Sequence, residues 1–286
     1  MAILGSHMSI AGGYYKAVER GRECGCDCVQ VFTKNNNQWR ANPISDEEAA
    51  QFRSTLQELK IVNPLSHSSY LINLAAPDPA LRKKSIDAFV IELRRAEQLA
   101  IPYVVVHPGS FTTSSEQAGL NAIIASLDEV HAQTRGINAQ CLLENTAGQG
   151  SNLGWHFEQL AELLSGVRDP DRLGVCFDTC HAYAAGYAMG TDKEFKATMR
   201  QFNATVGVKM IKAFHLNDSK RELGSRVDRH QHIGHGHLGL EPFRHLLNDR
   251  RFRKTPMYLE TAKGENDDGE DWDVVNLRVL RSLIAK

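Results

Sequence analysis

The chain has 286 residues, 42% of them hydrophobic and 23% charged, with a formal net charge of -1 at neutral pH. That size and balance suit one large α/β domain with a well-buried core. They exclude a generally basic nucleic-acid coat protein, though not a local basic surface, and no apolar run reaches the ~18 residues that a membrane span needs.

The N-terminal MAILGSHMSIAGG carries neither the basic nor the apolar segment of a secretory leader, which points to a cytoplasmic protein. GSHM within it looks like a cloning scar, but Ile3-Leu4 just ahead reads as the start of a buried strand, so the segment is read as native. Further short apolar runs follow: CVQVFT (28–33), IVNPLSH (61–67), YVVVH (103–107), QCLLEN (140–145), LGVCFD (173–178), KAFHLND (212–218) and PMYLE (256–260). With AILGSH (2–7) they make eight, each short enough and apolar enough for a buried strand. Between them lie helix-like stretches such as SDEEAAQFRSTLQELK, LRKKSIDAFVIELRRAEQLA and FEQLAELLSGV, the first opened by Ser45 and Glu48 in capping-box spacing. Strand and helix alternating in units of roughly 35 residues, with no linker, predict a single-domain (β/α)8 TIM barrel over residues 1–286. Six cysteines occur, three of them in CGCDC (Cys24, Cys26, Cys28). With no second cluster of matching spacing they read as reduced, buried and structural.

The strand ends carry the chemistry. The predicted strands finish on or beside His7, His67, His107, Glu144, Asp178 with His181, His215, and Glu260. A barrel gathers such ends in one mouth, and so many imidazoles and carboxylates face to face require something cationic. The tract GSRVDRHQHIGHGHLG (224–239) adds Asp228 and His230, two apart and therefore on one side of an extended segment. His232, His235 and His237 read as lying behind the ligands, facing phosphate, or solvated. Nine nitrogen and oxygen donors (His67, His107, Glu144, Asp178, His181, His215, Asp228, His230, Glu260) exceed one tetrahedral ion and suit three if a carboxylate bridges. Zinc fits this donor set, with manganese or iron as competitors. Three divalent ions outweigh four carboxylates by two charges, which calls for an anionic substrate such as a phosphodiester.

Five motifs resemble the endonuclease IV family of apurinic/apyrimidinic endonucleases: HPGS (107–110), ENTAGQGSNLG (144–154), GVCFDTCHAYAAGY (174–187), HLNDSK (215–220) and GSRVDRHQHIGHG (224–236). HSSYLINLA (67–75) and FTKNNNQW (32–39) extend the resemblance along the whole chain. It implies a three-zinc TIM barrel that hydrolyses duplex DNA 5′ to abasic sites during base excision repair, leaves a 3′-hydroxyl and a 5′-deoxyribose phosphate, and removes 3′-blocking groups. It further implies one zinc on His67 and His107, and a second on Asp178, His215 and Glu260, with Glu144 shared between them. His181, Asp228 and His230 would hold the third. A hydroxide between the first two ions, flanked by Glu144 and Glu260, would be the nucleophile. DNA contacts would come from Asn35, Asn37, Gln38 and Arg40, from Ser69 to Leu71 with Tyr70 and Leu71 as a minor-groove wedge, and from Lys220, Arg221, Arg226 and Arg229. Asn37 stands where a family member carries an inserting arginine, and His235 where a glutamate can occur. A cytoplasmic, nucleoid-associated monomer follows from the same resemblance. The rival readings are a sugar isomerase or epimerase on the related xylose-isomerase-like barrel and a non-catalytic zinc or DNA-binding module.

Overall fold

The computed structural model describes residues 2–285. Eight parallel strands close into a barrel: β1 (Ile3–His7), β2 (Cys28–Phe32), β3 (Val62–His67), β4 (Tyr103–Val106), β5 (Gln140–Glu144), β6 (Leu173–Asp178), β7 (Ile211–His215) and, after two short strands β8 (Asp218–Ser219) and β9 (His230–Gln231), β10 (Pro256–Leu259). The barrel closes where β1 pairs with both β2 and β10. Outside it run α1 (Tyr14–Glu23), α2 (Asp46–Glu58), α3 (Pro79–Gln98), α4 (Glu116–Gln133), α5 (Phe157–Gly166), α6 (Thr179–Ala184), α7 (Asp192–Thr205), α8 (Glu241–Asn248) and α9 (Trp272–Ser282). The capping box at Ser45 and Glu48 forms as its spacing predicts, each side chain bonding the other's backbone N–H.

One predicted strand is corrected. KAFHLND does not run to Asp218: β7 stops at His215, and β8 pairs antiparallel with β9 in a separate ribbon. The turn comes at Asn217, whose amide donates to Asp178 Oδ2 at 2.7 Å and accepts the Glu260 N–H at 2.8 Å, so its polar groups are spent across the mouth rather than along a ladder.

Side chains two apart on a strand share a face, and this period builds the barrel interior in layers. Cys28, Leu65, Val105, Leu142, Cys176, Ala213 and Tyr258 form one buried apolar plug. Two residues further along each strand, towards its C-terminal end, stand Gln30, His67, His107, Glu144, Asp178, His215 and Glu260. On β1 the matching steps are Gly5 and His7; a Cβ on Gly5 would lie 1.8 Å from the Cys28 carbonyl oxygen, so only glycine lets β1 and β2 approach there. Gly5, Ser6 and His7 of GSHM are thus barrel strand, with Ser6 donating to Asp273 at 2.7 Å. All six cysteines are free thiols, and Cys26, Cys28, Cys141, Cys176 and Cys180 are buried.

In α4, His131 is buried and neither ring nitrogen has a hydrogen-bond partner. Burial, aided by the Arg172 charge, pushes its pKa from 6.5 down to about 4. Between those values the unfolded chain binds the extra proton, so stability falls as pH drops through that window. His131→Leu removes this term while leaving every other titration in place. Urea unfolding at pH 7.5 and pH 5 should show the variant losing about 2 kcal/mol less on acidification than the parent; equal losses would refute the assignment.

Candidate metal centre

Glu144 is the hub of the mouth. Its carboxylate is fully buried, with Oε2 3.2 Å from both His67 Nε2 and His107 Nε2, and Oε1 2.9 Å from His215 Nδ1. Burial alone would raise its pKa, but the His215 and His107 imidazoles outweigh that and hold it well below the usual carboxylate range. Glu260 behaves alike: burial opposes ionisation, and His215 with His7 overcomes it.

The imidazole tautomers say what belongs between these groups. A carbonyl oxygen only accepts, so His67 Nδ1–H donates to Ser68 at 2.8 Å and His181 Nδ1–H to Asn145 at 2.9 Å. His230 Nδ1–H likewise donates to the Glu260 carbonyl at 3.3 Å. With Nδ1 as the donor, each of these rings, when neutral, turns an Nε2 lone pair inward. His181 Nε2 and His230 Nε2 face each other at 3.4 Å, with Asp228 oxygens 3.1 and 3.4 Å away. His215 is mirrored: Nε2–H donates to Gln30 Oε1 at 2.7 Å, leaving Nδ1 towards Glu144 at 2.9 Å and Glu260 at 3.1 Å. Lone pairs aimed at lone pairs and carboxylates are repulsive unless cations lie between, and outward N–H groups anchored on protein acceptors are how metal-binding histidines are oriented. The donors therefore fit divalent ions. Without them, burial would favour neutral His181 and His215, yet Asp178 and Asp228 beside His181, and Cys176 with Glu260 and Glu144 beside His215, hold both well above their ordinary value.

All nine sequence-predicted ligands meet here. Their donor atoms fall into three groups: His67, His107 and Glu144; Glu144, Asp178, His215 and Glu260; and Asp178, His181 and His230, which Asp228 closes from its outer side. Asp178 and His181 are aimed by the start of α6 rather than by a loop, with Asp178 Oδ1 capping the helix through the His181 N–H at 2.7 Å. The other histidines of the tract stand apart from these groups. His232 stacks on Trp272 at 3.7 Å between centroids, while His235 and His237 are set away from the donors. Their loop wraps Asp218, whose buried carboxylate accepts the N–H groups of Ser219, Gly234, Gly236 and Leu238. A Cβ on Gly236 would lie 2.4 Å from the Ser219 carbonyl oxygen.

Around the mouth, a cavity of 360 Å³ opens between His67, Tyr70, His107, Asn152 and Asp228, and one of 280 Å³ between His181, Arg229, His230 and Glu260. Tyr70 is 62% exposed, with its ring 5.4 Å from Phe32, so it projects from the surface instead of joining the core. Leu71 is half-buried beside it. Asn35, Gln38, Lys220, Arg221 and Arg229 are exposed, and Asn37 and Arg40 lie among the accessible residues of the same rim. Trp39 packs on the core under Lys84. Arg226 is also at the surface, yet its Nε donates to the Gly148 carbonyl at 2.9 Å and its guanidinium lies over Trp155 at 4.1 Å. Its first role is to pin the loop.

Sequence reasoning passed over Gln30. Its amide N–H groups go to Glu260 Oε1 and His7 Nδ1, and its oxygen takes the His215 proton. Its inward phase on β2 was visible, but a search for ligand types alone skips an amide.

The family described as xylose isomerase-like TIM barrel matches residues 18–283. A "Probable endonuclease 4" of Trichlorobacter lovleyi is 49% identical over 98% of this chain and 99% of its own length. Another, from Chloroflexus aurantiacus, is 50% identical over 99% of both. Among solved structures, endonuclease IV from Thermus thermophilus superposes with a TM-score of 0.84 at 36% identity, covering 98% of each chain. A D-tagatose 3-epimerase-like protein matches at TM-score 0.73 but 18% identity, a likeness of fold alone.

Gln30→Leu tests how the centre is held. It should fold and keep its plug, yet bind divalent metal about 10–100-fold more weakly in a competitive chelator titration. Unchanged affinity for every ion would make the Gln30 bridge incidental.

Proposed function

The chain belongs to the endonuclease IV family of xylose isomerase-like TIM barrels, DNA-cleaving hydrolases of repair, and we propose that it incises duplex DNA on the 5′ side of abasic sites. The products would be a 3′-hydroxyl and a 5′-deoxyribose phosphate, and the same site would clear 3′-blocking groups. The observation that carries this reading is the convergence of nine nitrogen and oxygen donors, in three groups sharing buried carboxylates, beside an exposed Tyr70. Zinc would occupy the three groups, with manganese or iron able to replace it. Bound ions would supply Lewis acidity and positive charge at a phosphodiester.

The protein's own residues do the rest. Glu144 and Glu260 stay ionised and would help to hold the ions, while the anchored outer N–H groups keep the imidazoles turned towards them. Tyr70 and Leu71 enter the minor groove and support a kinked duplex in which the abasic nucleotide swings out towards the mouth. Asn35, Asn37, Gln38 and Arg40 meet the strand on one side. Lys220, Arg221 and Arg229 meet phosphates on the other, with Arg226 acting mainly through its loop. Asn37 brings an amide where an arginine would fill the stack, which leaves more of the wedge to Tyr70 and Leu71. We expect the enzyme to act as a monomer on the chromosome in the cytoplasm; among the described residues no helix is long and apolar enough to cross a membrane. The sugar-epimerase alternative draws only on the shared barrel.

A duplex oligonucleotide with one tetrahydrofuran abasic analogue gives the test, because that analogue cannot undergo β-elimination. The expected result is a single cut immediately 5′ to the lesion, an extendable 3′ end, three zinc ions per chain by elemental analysis, and loss of cutting after prolonged chelation. A metal-replete protein that leaves the oligonucleotide intact would sink the reading. Tyr70→Ala should raise KM about tenfold or more while leaving zinc content unchanged, as expected for a lost wedge contact.

A further inference from the structure

Away from the metal groups, one buried ion pair has no part in the chemistry described above. Lys34 and Glu92 lie 3.4 Å apart with side chains 3% and 1% exposed. Burying two charges is costly unless each is well paired and hydrogen-bonded, and here every contact leads to a mouth loop. Glu92 Oε2 accepts from Thr33 Oγ1 at 2.8 Å, and Oε1 accepts the Ser69 N–H at 3.2 Å. Lys34 Nζ donates to the Gln38 carbonyl at 2.7 Å. Ser69 Oγ then donates to the Asn36 carbonyl at 2.6 Å and accepts the Leu71 N–H at 3.3 Å, so the loops of Asn35–Arg40 and Ser69–Leu71 are stitched directly together.

The same helix extends the seam. Glu92, Arg95 and Gln98 recur every three residues on α3, which places them along one face. Arg95 donates to the carbonyls of Thr33 and Asn42 at 2.6 Å each, and Gln98 to that of Ile44 at 2.7 Å. The β2–α2 connection is therefore fastened from Thr33 to Ile44 onto one helix face, and Glu92 is the point where the second loop joins it.

We propose that Glu92, paired with Lys34, is the positioning residue that locks the Asn35–Arg40 loop and the Tyr70–Leu71 wedge into one rigid platform for the substrate duplex. This rests on the abasic-endonuclease reading for what the platform touches. The locking itself is independent of it. A wedge held by a pre-set frame enters DNA without first ordering its own loop, so the benefit falls on substrate binding rather than on the bond-breaking step.

Glu92→Gln keeps the shape and removes the charge that Lys34 needs; K34M/E92Q removes both charges and guards against simple failure to fold. For either folded variant the expected result on the tetrahydrofuran duplex is a KM raised about tenfold, kcat within about twofold of the parent, and an unchanged zinc content. Hydrogen exchange without DNA should show the amides of 35–40 and 69–72 speeding up together. Two outcomes overturn the proposal: a folded variant with unaltered KM and unaltered exchange, or one whose kcat and zinc content fall instead. A parent enzyme that fails to cut the duplex would refute the endonuclease reading, while concerted exchange in the two loops would still decide the locking.

Discussion

An ionised carboxylate with no access to water sits at the centre of this molecule, and the rest of the mouth is arranged around that fact. Glu144 faces His67, His107, His181 and His215 within 3.2 Å. The lone pairs that neutral His67 and His215 turn towards it would repel it, so the group is stable only with positive charge between. Protons or metal ions can provide that charge, and the anchored outer N–H groups favour metal because they keep the inner nitrogens free to coordinate. A barrel is suited to enforcing this confrontation, because eight strands from distant parts of the chain are obliged to end in one ring.

Much of this was legible in the sequence, for reasons that can be named. Short apolar runs alternating with amphipathic stretches identify the barrel, and a two-residue step along each strand carries Leu65 to His67, Leu142 to Glu144 and Tyr258 to Glu260. A strand end therefore announces its own direction. The boundary at β7 was misplaced because Leu216-Asn217-Asp218 continues the apolar-then-polar rhythm, while the turn depends on Asn217 bonding to Asp178 and Glu260, contacts that no local pattern reveals.

The less legible features share a cause: they are polar side chains whose importance comes from partners far along the chain. Gln30 matters through His215, 185 positions away. Glu92 matters through Thr33 and Ser69. Arg226 looked like a phosphate contact because it is an arginine in a basic stretch, but Trp155 and Gly148 claim it first. The histidine-rich tract separates along the same line. Asp228 and His230 face the centre, whereas the glycines between the remaining histidines let the backbone fold round Asp218. The spacing of Asp228 and His230 already set that pair apart from the remaining histidines; the clasp that follows them, built on backbone N–H groups, had no signal in the composition.

The apolar plug of Cys28, Leu65, Val105, Leu142, Cys176, Ala213 and Tyr258 also has a bearing on traffic. It stops the barrel like a cork at its lower end, so the metal centre is a one-ended vessel. Ions, protons, substrate and product then share a single doorway. A duplex lying across the rim would close that doorway from outside, so exchange with bulk solvent would resume only when the DNA departs. Ions held there would thus be most open to loss or replacement while the enzyme searches, and most sheltered while it is engaged.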